Sequence, residues 1–514
     1  MSFNKWDAHD FKNTLNDLKH LTNEIGIIGI EKESLRINNK TISQKYHPKE
    51  LGSALCNKYI TTDFSESLIE IITPPLDKKT DVLPFIEDIH HFVNNHIGDE
   101  TLWPFSMPPY ILPDEKIPIA KYGISNQSLF KTIYRKGLSH RYGRVMQTIA
   151  GVHFNYSYQN NIWKLLGFTE NKIHKDMKSK FYFGTIRNMQ RMNWLILFLF
   201  GASPIITKNF SQHQSLNGLK QYRDSYFMQY ATSLRMSDLG YQNTSQANLR
   251  ISLDGVNEYA RDLKNATETE HKEFQKIFTN TKDKFSQLNA NILQIEDEYY
   301  STSRPKTSNI NDKRMLSNLV SHGVDYIELR SLDLNPFSSV GIDYETIQFL
   351  EIFIIYSSLL DSPFINQNEM KEIKNNDLET SIRGRDPELK LFRFNKKISI
   401  EDWGNQILDG MLEIEAILDL KNRVVEKMRA KIMNPDETIS AMIIERMHAQ
   451  KIDFNDLGNQ IGEDNKKKFL ERMKDENFHW ITLEEHAASS LLRQSKLECS
   501  SKNFDQFVND YFNS

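Results

Sequence analysis

Alternation of apolar and polar residues predicts several strands in the first two thirds of the chain. After an amphipathic helix predicted at residues 10–24, a strand is predicted from Ile25 to Asn38. Strand-like pieces follow from Leu51 to Thr73, and Val145 to Tyr158 alternates regularly. A further β-rich segment is predicted at about 320–335. Side chains two residues apart on such strands share a face.

Helical spacing of apolar residues predicts helices at 77–97, 172–201 and 344–361. The most apolar run, from Met192 to Thr207, is shorter than the about 20 residues that a membrane-spanning helix needs. It also contains an asparagine, a glycine and a proline. We therefore predict a buried core helix that ends near Gly201.

The character of the chain changes after Pro363. The polar segment "NQNEMKEIKNNDLETSIRGRDPELK" is predicted to be rich in loops, and residues from about 404 onward are predicted to be helical. Strands and helices mix without a regular βαβ alternation, which predicts an α+β fold with a largely antiparallel sheet. We expect a catalytic domain at 1–375 and a mainly helical region at 376–514.

Composition narrows the class of protein. The chain has 514 residues, with 64 Lys and Arg against 68 Asp and Glu, and a formal net charge of -4. This balance gives no general reason to bind nucleic acid or an acidic membrane. Cys56 and Cys499 are the two cysteines, too few for a disulfide framework. With an N-terminus that lacks the apolar core of a signal peptide, we expect a cytoplasmic protein.

Acidic residues lie on predicted strands, where they need neutralisation. In "GIEKESLRIN", Glu31 and Glu33 are two apart and share a strand face. The segment "ITTDFSESLIEIITP" adds Asp63 and, in phase with apolar neighbours, Glu70. Two carboxylates side by side repel each other, and each needs water or a partner if it is buried.

Two more predicted strands carry a polar face. Val145 to Tyr158 has an apolar side and a polar side, and the polar side carries His153 beside Gln147 and Asn155. In "GVDYIELRSLDLNP", Glu328 and Arg330 share a face and are in phase with Tyr326 and Leu332.

Each of these signals also has an ordinary structural explanation. Glu31 and Glu33 are also compatible with a solvated sheet face, and Glu328 with Arg330 is compatible with a structural ion pair. His153 is compatible with a core histidine held by hydrogen bonds. Four strand regions with such faces nevertheless favour a sheet that cations neutralise. Carboxylates with one imidazole and no thiolate suit Mg²⁺ or Mn²⁺.

Mg²⁺ on scattered carboxylates commonly shares its ligands with phosphates, which suggests a nucleotide. The chain has neither GxxxxGK[ST] nor GxGxxG, so the usual phosphate loops are missing. Four arginines in or beside these segments have the chemistry to meet phosphate or carboxylate groups. They are Arg135, Arg235, Arg304 and Arg330.

The same segments resemble the proteobacterial type of glutamate–cysteine ligase. The resemblance rests on "GIEKESLRIN", "GSALCNKYITTDFSESLIEIITP", "WPFSMPPYI", "YGISNQSLFKTIYRKGLSHRYG", "MQTIAGVHFNYS", "LFGASPII", "YATSLRMSDLGYQN", "LQIEDEYYSTSRPK" and "DYIELRSLDLNPFSSVGID". These strings occur in order from about residue 20 to 345. Beyond about 365 the similarity is reduced to helical character and "GRDPEL".

The resemblance implies a curved, largely antiparallel sheet that forms a cup ringed by helices, as in glutamine synthetase. It implies ATP-dependent joining of L-glutamate and L-cysteine through γ-glutamyl phosphate, the first step of glutathione synthesis. It further implies a monomer, with glutathione as a candidate feedback inhibitor.

Site residues follow from the resemblance in the same way. Mg²⁺ ions that bridge ATP and glutamate would be held by Glu31, Glu33, Asp63, Glu70, His153 and Glu328. Arg330 would contact the transferred phosphoryl group, with Glu328 beside it, and Arg135 and Arg235 would hold substrate carboxylates. The cysteine pocket would be lined by Phe64, Tyr134, Leu138, Gln147, Tyr241 and Tyr300. Two alternatives stay open: a ligase of this fold with another amine acceptor, and a non-catalytic metal- or nucleotide-binding module.

Overall fold

The computed structural model of the chain describes residues 25–165, 172–210, 218–240, 246, 249–281, 284–308, 314–418, 420, 422–499 and 503–513. The helix predicted at residues 10–24 and the predicted pocket residue Tyr241 lie outside this part of the chain.

Strands and helices are mixed along the described residues. The strands are β1 Gly26–Asn38, β2 Thr41–Ile42, β3 Ile60–Thr62, β4 Leu68–Ile72, β5 Thr101–Leu102, β6 Val152–Tyr158, β7 Ile205–Thr207, β8 Lys220–Tyr222, β9 Ser225–Phe227, β10 Ser303–Lys306, β11 Tyr326–Leu332, β12 Lys390–Arg393 and β13 Lys396–Ser399. The α-helices are α1 Lys79–His96, α2 Asn126–Tyr142, α3 Asn160–Leu165, α4 Lys172–Phe200, α5 Val256–Glu268, α6 Lys272–Thr281, α7 Met315–His322, α8 Tyr344–Leu359, α9 Gln367–Arg383, α10 Ile400–Ile417, α11 Val424–Met433, α12 Ile439–Gln450, α13 Phe454–Glu471, α14 Trp480–Glu498 and α15 Phe504–Asn513.

The main sheet is open and has the strand order β10-β11-β6-β1-β4-β3, with β2 and β5 paired to the end of β1. Its paired strands run antiparallel. The predicted α+β class with an antiparallel sheet is therefore confirmed. Two small sheets, β12-β13 and β7-β9-β8, lie elsewhere in the described residues.

The alternation in β1, β6 and β11 gives the main sheet an apolar side. Ile30, Val152, Phe154 and Leu329 are buried there, each with 1% exposure or less. Helix α4 packs against β10, β11 and α8 on this side. The prediction of a buried core helix ending near Gly201 is confirmed, because α4 ends at Phe200 and its last turns are buried. Burying this apolar surface supplies the main driving force for the fold.

Two predicted strands are shorter than expected. The strand predicted from Val145 begins at Val152, because Met146–Thr148 forms a turn of 3₁₀ helix. In the segment predicted at about 320–335, the strand covers Tyr326–Leu332 and follows helix α7.

The segment after Pro363 was predicted to be rich in loops, and this is wrong for α9. Its polar composition hides a capped helix, because the Asn366 side chain accepts hydrogen bonds from the backbone N–H groups of Asn368 and Glu369. Ile373 and Asn376 are buried, and α9 packs on α4. Tertiary contacts thus override the weak apolar pattern of this segment.

The helical character predicted for the C-terminal region is observed in α10 to α15. The expected boundary at residue 375 falls inside α9. The division into 1–375 and 376–514 stays a prediction. Among the described helices, none is both long and apolar enough to cross a membrane.

Candidate active site

Strand register brings the predicted acidic residues of β1 next to those of its neighbours. Glu31 of β1 is paired with His153 of β6, and Glu33 is paired with Glu70 of β4. Directly paired residues of antiparallel strands point to the same face of the sheet. These four side chains therefore share the face opposite the apolar side.

His153 bridges two carboxylates of this face. Its Nδ1 lies 3.1 Å from Glu31 Oε2 and its Nε2 lies 3.7 Å from Glu33 Oε1. Asn155 Nδ2 donates to Glu31 Oε1 at 2.8 Å, and the N–H of Gly151 donates to Glu33 Oε2 at 2.7 Å. Burial raises the pKa of Glu31, but the hydrogen bond to His153 and the charges of His153 and Lys306 together leave the pKa below its usual value.

Glu328 of β11 completes this face from the other side of β6. Its Oε1 lies 3.0 Å from Arg330 Nη1, 3.8 Å from His153 Nδ1 and 3.8 Å from Lys306 Nζ. Burial opposes ionisation, but the charges of Arg330 and Lys306 hold the pKa of Glu328 well below its usual range. Glu328 Oε2 is buried and has no hydrogen-bond partner among the described residues.

A β-bulge at Arg330 and Ser331 sets the direction of the arginine. Leu329 pairs with Phe154 and Leu332 pairs with Val152, so two residues of β11 stand opposite the single His153 of β6. Arg330 stays on the face of Glu328, as predicted. The predicted phase of Leu332 is wrong, because the extra residue places it opposite Val152 on the apolar side.

The cluster of acids has the chemistry of a divalent cation site. One ligand atom each from Glu31, Glu70 and His153 lie within 4.8 Å of one another. Burial and the neighbouring charges of Glu31, Asp63 and Glu33 raise the pKa of Glu70 well above its usual value. The described side chains do not fully neutralise the charge of these carboxylates. Carboxylate oxygens with one imidazole are suitable ligands for Mg²⁺ or Mn²⁺.

A cavity of about 150 Å³ opens beside this cluster. It is lined by the predicted residues Glu33, Asp63, Phe64, Tyr134, Arg135, Leu138, Gln147, His153, Arg235, Tyr300 and Arg330. The predicted residues Glu31, Glu70 and Glu328 lie in the adjoining cluster rather than in this lining. The structure thus brings together every predicted site residue that it describes.

Helix α2 supplies one wall of the cavity. It begins at a cap in which the Ser125 side chain accepts from the N–H of Ser128. Tyr134 and Leu138 are four residues apart and therefore share a helix face, with Arg135 beside them. Arg135 Nε donates to the carbonyl of Asp63, and its guanidinium lies 4.8 Å from the centre of the Tyr122 ring.

Arg235 lies in a 3₁₀ turn, Leu234–Met236, on the other side of the cavity. Its Nη2 donates to the carbonyl of Arg330 at 2.9 Å, and its Nη1 lies 3.6 Å from Asp333 Oδ1. A Cβ atom at Gly151 would lie 2.3 Å from Arg235 Nη2, so glycine is needed there for the arginine to approach. Arg235 and Arg330 are thereby fixed relative to each other.

Sequence reasoning missed several residues of the cavity lining. They are Met146, Ile149, Asp297 and Glu298. Arg304, one of the four arginines predicted to meet phosphate or carboxylate groups, also lines the cavity. Glu298 accepts from Tyr142 Oη at 2.6 Å and from Arg141 Nη1 at 3.0 Å. The acidic run "EDE" was the available signal, but it lies in a 3₁₀ turn where alternation gives no information. Gln147 lines the cavity from a 3₁₀ turn as well, not from the predicted strand.

Comparisons with known proteins agree with this geometry. The family model described as "Glutamate-cysteine ligase" matches residues 13–380. The chain is 40% identical over 499 residues to a glutamate–cysteine ligase of Alcanivorax borkumensis, covering 94% of this chain and 95% of that protein. It is 40% identical over 501 residues to one of Aliivibrio salmonicida, with coverages of 94% and 95%.

Solved structures are similar as well. The crystal structure of a glutamate–cysteine ligase from Francisella tularensis in complex with AMP matches with a TM-score of 0.87 and 32% identity. The match covers 95% of this chain and 98% of that one. A bifunctional glutathione synthetase from Pasteurella multocida shares the fold, with a TM-score of 0.71 and 23% identity over 95% of this chain and 57% of that one.

Proposed function

The chain belongs to the glutamate–cysteine ligase family, and from this we propose that it joins the γ-carboxylate of L-glutamate to the amine of L-cysteine with cleavage of ATP. This reaction is the first step of glutathione synthesis. The observation that carries the proposal is the single cavity in which Arg330 and Arg235 adjoin the acidic cluster of Glu31, Glu70 and Glu328.

The reaction requires activation, because a carboxylate is a poor acyl donor. Transfer of the γ-phosphoryl group from ATP to a γ-carboxylate oxygen gives γ-glutamyl phosphate and ADP. The neutral amine of cysteine then attacks the carbonyl carbon, the carbon–oxygen bond to phosphate breaks, and the amine loses a proton. Neither step needs a nucleophile on the enzyme, and positioning with charge stabilisation is sufficient.

The acidic face would hold the metal. Glu31, Glu33, Asp63, Glu70, His153 and Glu328 are the proposed ligands of Mg²⁺ or Mn²⁺. The bound cation would neutralise phosphate charge and polarise the phosphoryl group. The chain's own part is to keep these carboxylates aligned, and the contacts of His153 and Arg330 favour the ionised forms of Glu31 and Glu328.

Arginines would bind the phosphoryl and carboxylate groups of the substrates, and a mostly apolar set of residues would contact the cysteine side chain. Arg330 would contact the transferred phosphoryl group and stabilise its charge. Arg135 and Arg235 would bind substrate carboxylates. The cysteine side chain would lie among Phe64, Tyr134, Leu138, Gln147, Tyr241 and Tyr300, of which all but Tyr241 line the described cavity.

The proposed reaction is tested by measuring ADP release with one component omitted at a time. We expect release to require glutamate, cysteine and Mg²⁺ together, with γ-glutamylcysteine as the product. Release with glutamate and a different amine, but not with cysteine, would favour the other-acceptor ligase. Nucleotide binding without turnover under any combination would favour a non-catalytic binding module.

Several further properties remain proposals. The named site residues precede residue 331, which supports a catalytic domain at 1–375 with a helical region at 376–514. Glutathione contains the γ-glutamylcysteine unit and keeps the α-carboxylate of glutamate, so it would inhibit by occupying the cavity with that carboxylate at Arg135 or Arg235. We propose that the protein is a monomer. We also propose that it is cytoplasmic, which the scarcity of cysteine supports.

A further inference from the structure

The bulged residue Ser331 is tied to the helices behind the sheet. Its hydroxyl donates to Asn193 Oδ1 of α4 at 2.7 Å, and both side chains are buried with 2% exposure or less. Ser331 is adjacent to Arg330 in the bulge. A bulge interrupts the regular ladder, so the direction of its residues depends on contacts of this kind.

The amide of Asn193 is in turn oriented by Asp377 of α9. Asn193 Nδ2 donates to Asp377 Oδ2 at 2.9 Å. A hydroxyl such as that of Ser331 can donate or accept, so it does not by itself choose between the two orientations of the amide. Asp377 Oδ2 accepts this bond whether the carboxyl is ionised or carries its proton on Oδ1, which has no partner among the described residues. Asp377 therefore selects the orientation in which Oδ1 of Asn193 faces Ser331.

Helix α9 also supports the loop that carries Arg235. The carbonyl of Ser381 accepts from the N–H groups of Thr232 at 3.0 Å and Ser233 at 3.2 Å. Arg235 in turn donates to the carbonyl of Arg330 at 2.9 Å. One helix outside the cavity therefore contacts the supports of both arginines.

We propose that Asp377 is a positioning residue for Arg330, acting through Asn193 and Ser331 on the bulge of β11. This rests on the proposed function, in which Arg330 contacts the transferred phosphoryl group. Asp377 does not line the site cavity, although it borders a neighbouring cavity of about 590 Å³ that shares Tyr300 with it. In this proposal Asp377 does not contact the transferred phosphoryl group. Its effect would be on the geometry of phosphoryl transfer, where small displacements are costly.

A purely stabilising role does not suit a carboxyl in this place. Burial, opposed by the Asn193 hydrogen bond, raises the pKa of Asp377 to about 8. A folded-state pKa above the unfolded value means that stability falls as the pH rises toward 8. The free energy of unfolding is therefore lower at neutral pH than at acidic pH because of this carboxyl. Orienting the Asn193 amide is a role that accounts for a carboxyl at this position.

The test compares steady-state kinetics of Asp377→Ala, Ser331→Ala and the double variant. We expect each single change to lower kcat roughly tenfold, with a smaller change in KM for cysteine, because the displaced side chain is that of Arg330, which contacts the transferred phosphoryl group. The double variant should be no slower than the slower single variant, since both changes break the same chain of hydrogen bonds. Asp377→Asn, which keeps an acceptor oxygen, should restore kcat to within about twofold of the wild type.

Asn376→Ala is the matched control. Asn376 is the neighbouring residue of α9, is buried, and bonds to the backbone of Phe392 in β12 instead of to the main sheet. This variant should lower the melting temperature but keep kcat. The proposal is overturned if Ser331→Ala, which removes one oxygen atom, keeps wild-type kcat, or if the two single losses multiply. A wild type that releases no ADP with glutamate and cysteine would instead overturn the proposed function.

Discussion

Glu328 is the residue at which the acidic face and the arginines of the cavity meet. One of its oxygens lies 3.0 Å from Arg330, and the other is buried without a partner in the described chain. A buried carboxylate oxygen of this kind has a strong tendency to bind a cation. We predict that Glu328→Gln lowers kcat by roughly a hundredfold or more, because the amide removes the charge that holds both the metal and Arg330.

The measurement is kcat over a range of Mg²⁺ concentrations, with circular dichroism to check the fold. Glu351→Gln is the control, because Glu351 is also buried and paired, 2.7 Å from Lys79, on α8 away from the cavity. This control should retain kcat. Near-normal turnover of Glu328→Gln at saturating Mg²⁺ would remove Glu328 from the proposed ligands.

At this scale the sequence predicts strand residues well and turn residues poorly. Glu31 and Glu33 were placed on one face because alternation is a local property of any strand. Glu298 and Gln147 lie in 3₁₀ turns, where no period indicates which side chains face the cavity. The bulge at Arg330 was not predictable either, since its cause is a pairing partner far away in the chain.

Helix α2 depends on the C-terminal helix α15 for its packing. Phe130 of α2 is buried, and its ring lies 4.6 Å from that of Tyr511 and 6.1 Å from that of Phe507. The next turns of α2 carry Tyr134 and Leu138, two proposed cysteine contacts. We predict that Phe130→Ala lowers the free energy of unfolding by about 3 kcal/mol and raises KM for cysteine, because this wall of the cavity loosens.

Denaturant unfolding and cysteine titrations measure the two effects of Phe130→Ala. Phe469→Ala serves as the control, because Phe469 is equally buried but lies on α13 and stacks on His90, not on α2. It should destabilise the protein comparably and leave KM for cysteine unchanged. If KM rises equally in both variants, the effect is general loosening and α15 has no particular relation to the cavity.

Among the elements, strongly periodic ones were predicted and polar ones were not. Helix α4 was found from its apolar run, which is buried along its last turns. The sequence of helix α9 predicts loops because the segment is polar and its buried face consists partly of asparagine, threonine and serine. Such a face becomes visible only when its hydrogen-bond partners on other elements are known.

The whole molecule is held by its core without a disulfide. Cys56 is half-buried and Cys499 is exposed, and both are free. Neither lines the site cavity. We predict that the double variant Cys56→Ser/Cys499→Ser keeps kcat within about twofold and the melting temperature within about 2 °C, because neither side chain is fully buried and Ser is close to Cys in size. Complete loss of activity with an unchanged circular dichroism spectrum would reveal a thiol role.

At the scale of the molecule, the mixed strand and helix patterns of the sequence predicted an α+β fold with an antiparallel sheet, but they did not predict the strand order. Alternation shows that β1, β6 and β11 each have a polar side, and it does not show that they are neighbours. The resemblance to a known family implied that their polar residues meet around one metal site, but it did not give the strand order. The hydrogen bonds between helices and sheet, such as that of Asn193 with Ser331, have no local signature at all.

The strand order has a consequence for how the chain is made on the ribosome. β6 pairs with β1 on one side and with β11 on the other, but β11 is synthesised about 170 residues after β6. At about 5–20 residues per second, the edge of β6 remains unpaired for roughly ten to thirty seconds. An unpaired strand edge is a template for aggregation. The nascent chain therefore passes through a defined interval in which the edge at the centre of the future sheet is open to pairing with other chains.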